Sequence, residues 1–180
     1  MIKAVIFDLD GTLFLGKTAI PGAAKKLEEL RSKGIKMIFL TNAATRSREN
    51  LLEKILSMGL SAQKDEIYCS SYFLAKYISE FHKGKTVYIV GEQGINDELG
   101  EHGIRVVDEK ADIVTVGLDR GFTYEKLANA LKQLQNGAIL LSSNKDTTYP
   151  TEHGVMPGAG SIVAAVEAAS GKEAISLGKP

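Results

Sequence analysis

The chain carries a single cysteine, Cys69, among its 180 residues. No intrachain disulfide can form, and a reducing cytoplasm is the expected setting. It also lacks any excess of charge. Lys plus Arg and Asp plus Glu number 22 each, which removes the electrostatic case for nucleic acid or an anionic membrane as a partner. No apolar stretch approaches the roughly 18 residues of a membrane span, and the N-terminus enters a strand-like run with no signal-peptide pattern. The three histidines, His82, His102 and His153, show no metal-ligand spacing. Each lies beside a glycine-containing turn, which points to surface positions. Internal repeats and low-complexity tracts are missing too. With 44% apolar and 24% charged residues, the sequence describes a globular protein of one medium domain or two small ones.

What is present begins near the N-terminus. Val5-Ile6-Phe7-Asp8-Leu9-Asp10-Gly11-Thr12 is a short apolar run that ends in two acids two residues apart. The run reads as a buried strand covered on both faces. Side chains alternate along a strand, so Asp8 and Asp10 project to one side where it ends, and Gly11 allows a sharp turn. Two neighbouring carboxylates repel unless a cation or a shared proton relieves them. The carboxyl end of a strand is also where open α/β sheets bind ligands. A strand followed by an acidic turn is the plain alternative.

Beyond this motif the pattern alternates strand and helix. Pro21 is expected in the first turn of a helix carrying Ala24, Leu27 and Leu30 on one stripe. Met37–Leu40 forms a second strand, with Thr41 and Asn42 at its carboxyl end. Thr45 or Ser47 could cap a helix lined by Leu51, Leu52, Ile55 and Leu56. Ile67-Tyr68-Cys69 forms a third strand, in which Cys69 is a buried structural thiol rather than a nucleophile, and a helix to about Phe81 follows. After Lys83-Gly84-Lys85 a second α/β series begins. Strands are expected at Thr86–Val90, Ile104–Val107, Ile113–Leu118 and Ala138–Leu141, and helices at Ile95–His102, Thr123–Gln135 and Ser161–Ala169. A last strand, Ala174–Leu177, leads into Gly178-Lys179-Pro180. The order implies parallel sheets, with Asp8, Asp10, Thr41, Asn42 and Lys179 converging at strand ends along one sheet edge.

A nucleophilic carboxylate, a second carboxylate, a hydroxyl donor and a cation are the parts that phosphoryl transfer through an aspartyl-phosphate requires. Asp8-Leu9-Asp10-Gly11-Thr12, Thr41-Asn42 and Gly178-Lys179-Pro180 together resemble the first three motifs of the haloacid dehalogenase superfamily. Phe39-Leu40-Thr41-Asn42, Val116-Gly117-Leu118-Asp119, Phe122-Thr123-Tyr124-Glu125 and Pro157-Gly158-Ala159-Gly160 resemble its NagD/4-nitrophenylphosphatase branch. The resemblance implies an α/β fold: a Rossmann-like parallel-sheet core (residues 1–83), an inserted α/β cap (84–173) and a return to the core (174–180). It implies that Asp8 attacks phosphorus and that Asp10 protonates the leaving oxygen and then assists water. Thr41 would bind a phosphoryl oxygen, and Lys179 would offset charge. Mg²⁺ would sit on the Asp8 carboxylate and the Asp10 carbonyl. Gly11 and Thr12 would give backbone donors to the phosphate, and Asn42, Asn144 and Asp146 would meet the substrate, a small phosphorylated metabolite.

Each of these has a plainer reading. Thr41 and Asn42 could cap a helix, Lys179 could be a solvated lysine, and Asn144 and Asp146 could serve a turn. Pro157–Gly160 could present amides to an anion, although helix entry explains it. Ala43 stands where relatives often have a second Asn. The branch's fourth, acidic motif would follow the third, and no such segment occurs in this sequence. That suggests a shortened protein with an impaired metal site and an unpaired edge beside the Asp8 strand. It is also the ground for the alternative of a non-catalytic phosphometabolite-binding or assembly protein. Oligomeric state stays open, with a homodimer as one option.

Overall fold

The computed structural model describes residues 2–151 and 154–179, so His153 and Pro180 lie outside the described residues. The chain divides into two compact units, Met1–Thr41 with Arg48–Cys69, and Asn42–Ser47 with Ser70–Pro180.

The first unit contains β1 (Ala4–Phe7), a small hairpin of β2 (Phe14–Leu15) and β3 (Thr18–Ala19), α1 (Ala23–Ser32), β4 (Lys36–Thr41), α2 (Arg48–Ser57) and β5 (Ile67–Cys69). Its sheet runs β1-β4-β5, with both pairings parallel. β4 is central and alternates as a strand with a buried face should: Met37, Phe39 and Thr41 are buried. The Phe7 and Phe39 rings stack at 5.9 Å. β1 departs from the expected doubly covered strand, since its residues alternate between exposed and half-buried, with Ile6 63% exposed. The reason is topological. β1 pairs with β4 on one side and, among the described residues, with no strand on the other. Pro21 also lies before its helix rather than in the first turn. Gly22, at φ 85°, is the N-cap, and its carbonyl accepts the Lys26 N–H at 3.0 Å, so helical geometry starts at Ala23.

The second unit contains α3 (Ser70–Phe81), β6 (Val87–Val90), α4 (Gln93–Glu101), β7 (Ile113–Val116), α5 (Tyr124–Gln135), β8 (Ile139–Ser142), β9 (Thr148–Thr151), β10 (Gly154–Pro157), α6 (Ala159–Ser170) and β11 (Ile175–Ser176). A parallel sheet in the order β11-β8-β7-β6 forms its centre. All four residues of β7 are buried because both faces are covered. Val114 and Val116 pack with Ala130 and Leu134 of α5 and Val163 and Val166 of α6. Ile113 packs with Leu74 and Ile78 of α3 and Ile95 and Leu99 of α4. This shared layer places α3 in the second compact unit.

Two expected strands differ. Ile104–Val107 reduces to one bridge from Val106 to Val87, because the hydrogen bonds on either side both end on Val87 (from its N–H to Arg105 O, 3.0 Å, and to its O from Val107 N–H, 2.9 Å). The strand before Lys179 pairs with β8, Ile175 beside Leu141 and Ser176 beside Ser142. It therefore belongs to the second sheet and not to the one that carries Asp8 and Thr41. The expected single sheet edge is corrected on this point. The antiparallel hairpin of β9 and β10 had no counterpart in the sequence reading.

Candidate active site

Asp8 follows the last residue of β1, and the next residues form a turn that fixes both acids. The Leu9 side chain is fully buried while Asp8 and Asp10 are exposed, as alternation requires. The Leu9 carbonyl accepts N–H groups from Thr12 at 3.2 Å and Leu13 at 2.9 Å, and Gly11, at φ 79°, donates its N–H to Phe14 O at 2.8 Å. The turn is thus closed by its own backbone. The amides of Gly11 and Thr12, expected to face the phosphate, here donate to Phe14 O and Leu9 O within the turn. The Leu9 N–H donates to Asp8 Oδ1 at 2.8 Å and orients that carboxylate.

Asp10 meets a residue the sequence reading did not single out. Lys54 of α2 places Nζ 3.8 Å from Asp10 Oδ1 and 4.0 Å from the centroid of the buried Phe14 ring. Its only sequence signal is a place three residues after Leu51, at the margin of the apolar stripe, which any solvated lysine could share. Thr41 closes β4 and is buried. Phe7 lies beside Phe39 in register, so the acids and Thr41 sit at the same end of one parallel sheet, the end where such sheets take ligands.

The remaining expected residues gather in the second unit. Asn42 Oδ1 accepts the Lys179 N–H at 2.7 Å and Asn42 Nδ2 donates to Asp146 Oδ2 at 2.9 Å. Asn144 Nδ2 donates to the Asn42 carbonyl at 2.9 Å. Ser70, which the sequence reading also passed over, donates its Oγ–H to the same carbonyl at 2.7 Å. The glycines at the start of α6 follow the helix-entry reading: Gly158 and Gly160 donate their N–H groups to Thr147 O and Asp146 O, each at 2.8 Å, and leave no amide pair for an anion.

Among the described histidines, His82 and His102 are half-buried instead of surface-exposed. His82 packs its ring near Tyr77 and His102 near Tyr72. Cys69 is buried and not disulfide-bonded. Among the described residues no three metal-ligating side chains cluster. The donor set at β1 consists of hard oxygens, two carboxylates with the intervening backbone. Mg²⁺ binds through one or two carboxylates and keeps several waters, so these residues fit that ion without a larger cluster.

A haloacid dehalogenase-like hydrolase family matches residues 5–105. The acid sugar phosphatase of Staphylococcus aureus (strain USA300) is 40% identical over 179 residues, 99% of this chain and 69% of that protein. The chain belongs to the haloacid dehalogenase-like hydrolases. The solved p-nitrophenyl phosphatase of Archaeoglobus fulgidus superposes with a TM-score of 0.91 at 34% identity, covering 97% of this chain and 67% of that one. A solved nagD protein gives 0.93 at 28% identity, covering 99% and 70%. Within the haloacid dehalogenase-like hydrolases the chain thus lies in the NagD-like branch of phosphatases, and it is an enzyme of that kind. No helix among the described residues is long and apolar enough to cross a membrane.

Proposed function

We propose that this chain is a Mg²⁺-dependent phosphatase of small phosphomonoesters that works through an aspartyl-phosphate on Asp8. The observation that carries the reading is the pair of exposed acids flanking buried Leu9 at the end of β1, in the sheet whose neighbouring strand ends in Thr41. Asp8, oriented by the Leu9 N–H, attacks phosphorus in line. A bond forms from its carboxylate oxygen to phosphorus and the ester oxygen leaves. Asp10 gives that oxygen its proton, then takes one from the water that attacks phosphorus, which frees phosphate and restores Asp8. The Thr41 hydroxyl donates to a phosphoryl oxygen, and Lys179 balances the negative charge that accumulates. The Asp8 carboxylate and the Asp10 carbonyl would hold Mg²⁺, which would supply positive charge to offset the repulsion between the two anions.

Residues 1–83 with 174–180 would act as the catalytic core and residues 84–173 as a cap that limits water during the phosphoenzyme stage. The names of the relatives, acid sugar phosphatase and p-nitrophenyl phosphatase, support sugar phosphates as the first substrate class to try and 4-nitrophenyl phosphate as a reporter. A cytoplasmic setting agrees with one buried cysteine and no disulfide. The test is hydrolysis of both esters with and without Mg²⁺. The expected outcome is Mg²⁺-dependent phosphate release that disappears in Asp8→Asn while the circular dichroism spectrum stays unchanged.

A further inference from the structure

The side chain of Asn42 lies between two groups of opposite hydrogen-bonding character. Its Oδ1 accepts the backbone N–H of Lys179 at 2.7 Å, and its Nδ2 donates to the Asp146 carboxylate at 2.9 Å. Its carbonyl holds two further donors, Asn144 Nδ2 and Ser70 Oγ, at 2.9 and 2.7 Å. Asn144 Oδ1 in turn accepts the Asp146 N–H at 3.0 Å, which fixes the loop that presents Asp146. The segment that carries Lys179 has little slack. Leu177 donates its N–H to Ser142 O at 3.0 Å. A Cβ added at Gly178 would stand 2.6 Å from Asn144 Cβ, 2.7 Å from Ser143 O and 2.9 Å from Asn42 Oδ1.

We infer that Asn42 is the positioning residue for Lys179: its amide clamps the Lys179 backbone against the Asp146 loop and so sets where the lysine ammonium is delivered. The inference rests on the reading of Lys179 as the cation that balances the phosphoryl group. A short side chain with an acceptor at one end and a donor at the other satisfies both neighbours. Asp at this position would face the Asp146 carboxylate and repel it, and Ala would remove both the bond to the Lys179 N–H and the bond to the carboxylate. Asn42 and Asp146 are thereby committed to each other, which sets this role apart from direct contact with the substrate.

The experiment uses the full chain and four proteins: wild type, Asn42→Ala, Asn42→Asp and the double variant Asn42→Asp with Asp146→Asn, which restores a donor opposite an acceptor. Backbone amide exchange at Lys179, followed by nuclear magnetic resonance, reads the anchor itself. Steady-state hydrolysis of 4-nitrophenyl phosphate and of one sugar phosphate with Mg²⁺ reads its consequence. Lys179 is expected to be protected in the wild type and the double variant and to exchange faster in Asn42→Ala. Asn42→Asp is expected to lose about 10- to 100-fold in kcat, by the same factor for both esters and with KM little changed, as displacement of a charged group predicts. The double variant is expected to return to within about twofold of wild type. The inference is overturned if Lys179 exchanges equally fast in wild type and Asn42→Ala. It is likewise overturned if the double variant is no better than Asn42→Asp, or if the losses appear in KM and differ between the two esters. A wild type that keeps Lys179 protected but hydrolyses neither ester contradicts the phosphatase reading and upholds the anchor.

Discussion

Lys54 shows how much a single side chain can hold without belonging to a motif. Its ammonium lies 3.8 Å from Asp10 Oδ1 and 4.0 Å from the Phe14 ring, so it touches both the second acid and the turn that presents it. The Asp10 side chain is 60% exposed, which limits the ion pair itself to a small contribution. The contact with the ring of fully buried Phe14 is shielded better. Lys54→Ala is expected to cost about 1 kcal/mol of stability by urea denaturation, and Lys54→Arg, which keeps the cation over the ring, to cost less. Equal losses in the two variants would count against the ring contact.

Asp112 makes a prediction of another kind. Hydrogen bonds from Lys85 Nζ, Thr86 N–H and Thr86 Oγ1 lower its carboxyl from 3.8 to about 2. A depressed acid stabilises the fold above its unfolded value and loses that contribution as pH falls through its folded value. Asp112→Asn should therefore be less stable than wild type at pH 7, and the gap should close between about pH 4 and pH 2. Urea midpoints measured across that range check it; a gap that persists at pH 2 would be contrary. Asp8 and Asp10 were readable from sequence because an apolar strand and a glycine frame them. Lys54 was not, since on a helix only its depth separates it from any other lysine. For Gly11 and Thr12 the sequence shows which amides exist, whereas their hydrogen bonds within the turn appear only in the structure.

At the scale of elements, long amphipathic helices were the most legible part. The helix after Thr123 begins where expected, with Thr123 Oγ1 accepting the Lys126 N–H at 3.2 Å. Edges were the least legible. Apolar residues mark β1 and Ile104–Val107 as strands, but how many neighbours a strand has depends on the rest of the fold. The hairpin of β9 and β10 escaped because Thr148–Thr151 contains Pro150, a residue that argues against a strand from sequence alone.

Two glycines give opposite predictions. A Cβ at Gly160 would lie 2.3 Å from Lys145 O, so Gly160→Ala must push α6 away from the loop that holds Asp146. It is expected to cost about 1–3 kcal/mol. Gly100 lies within α4 with nothing within 4 Å of an added Cβ, and Gly100→Ala is expected to add up to about 1 kcal/mol. Thermal unfolding of the two variants should shift in opposite directions; shifts of the same sign would show that these close approaches do not govern stability.

At the scale of the whole molecule, each compact unit has its own parallel sheet, and the residues singled out from sequence fall in both units. Asp8, Asp10 and Thr41 belong to the first unit, and Asn42, Asn144, Asp146 and Lys179 to the second. The α/β class was legible from the alternation of strand and helix patterns. The assignment of Lys179's strand was not, because a strand as short as Ile175–Ser176 carries no information about which sheet will accept it; β8 does so through Leu141 and Ser142. The two acids at the β1 turn also set a condition for the whole enzyme. On the proposed Mg²⁺-dependent mechanism, chelation of divalent metal by EDTA is expected to remove hydrolysis and added Mg²⁺ to return it, because the metal would offset repulsion between the carboxylate nucleophile and a phosphate dianion.

The account stands on Asp8 becoming covalently phosphorylated. The direct measurement is to quench the protein during turnover of 4-nitrophenyl phosphate, reduce any acyl phosphate with borotritide and map the label by peptide mass spectrometry. The label is predicted on the peptide that contains Asp8 and is predicted to be missing from Asp8→Asn. Label on another residue, or hydrolysis that continues in Asp8→Asn, would contradict the account.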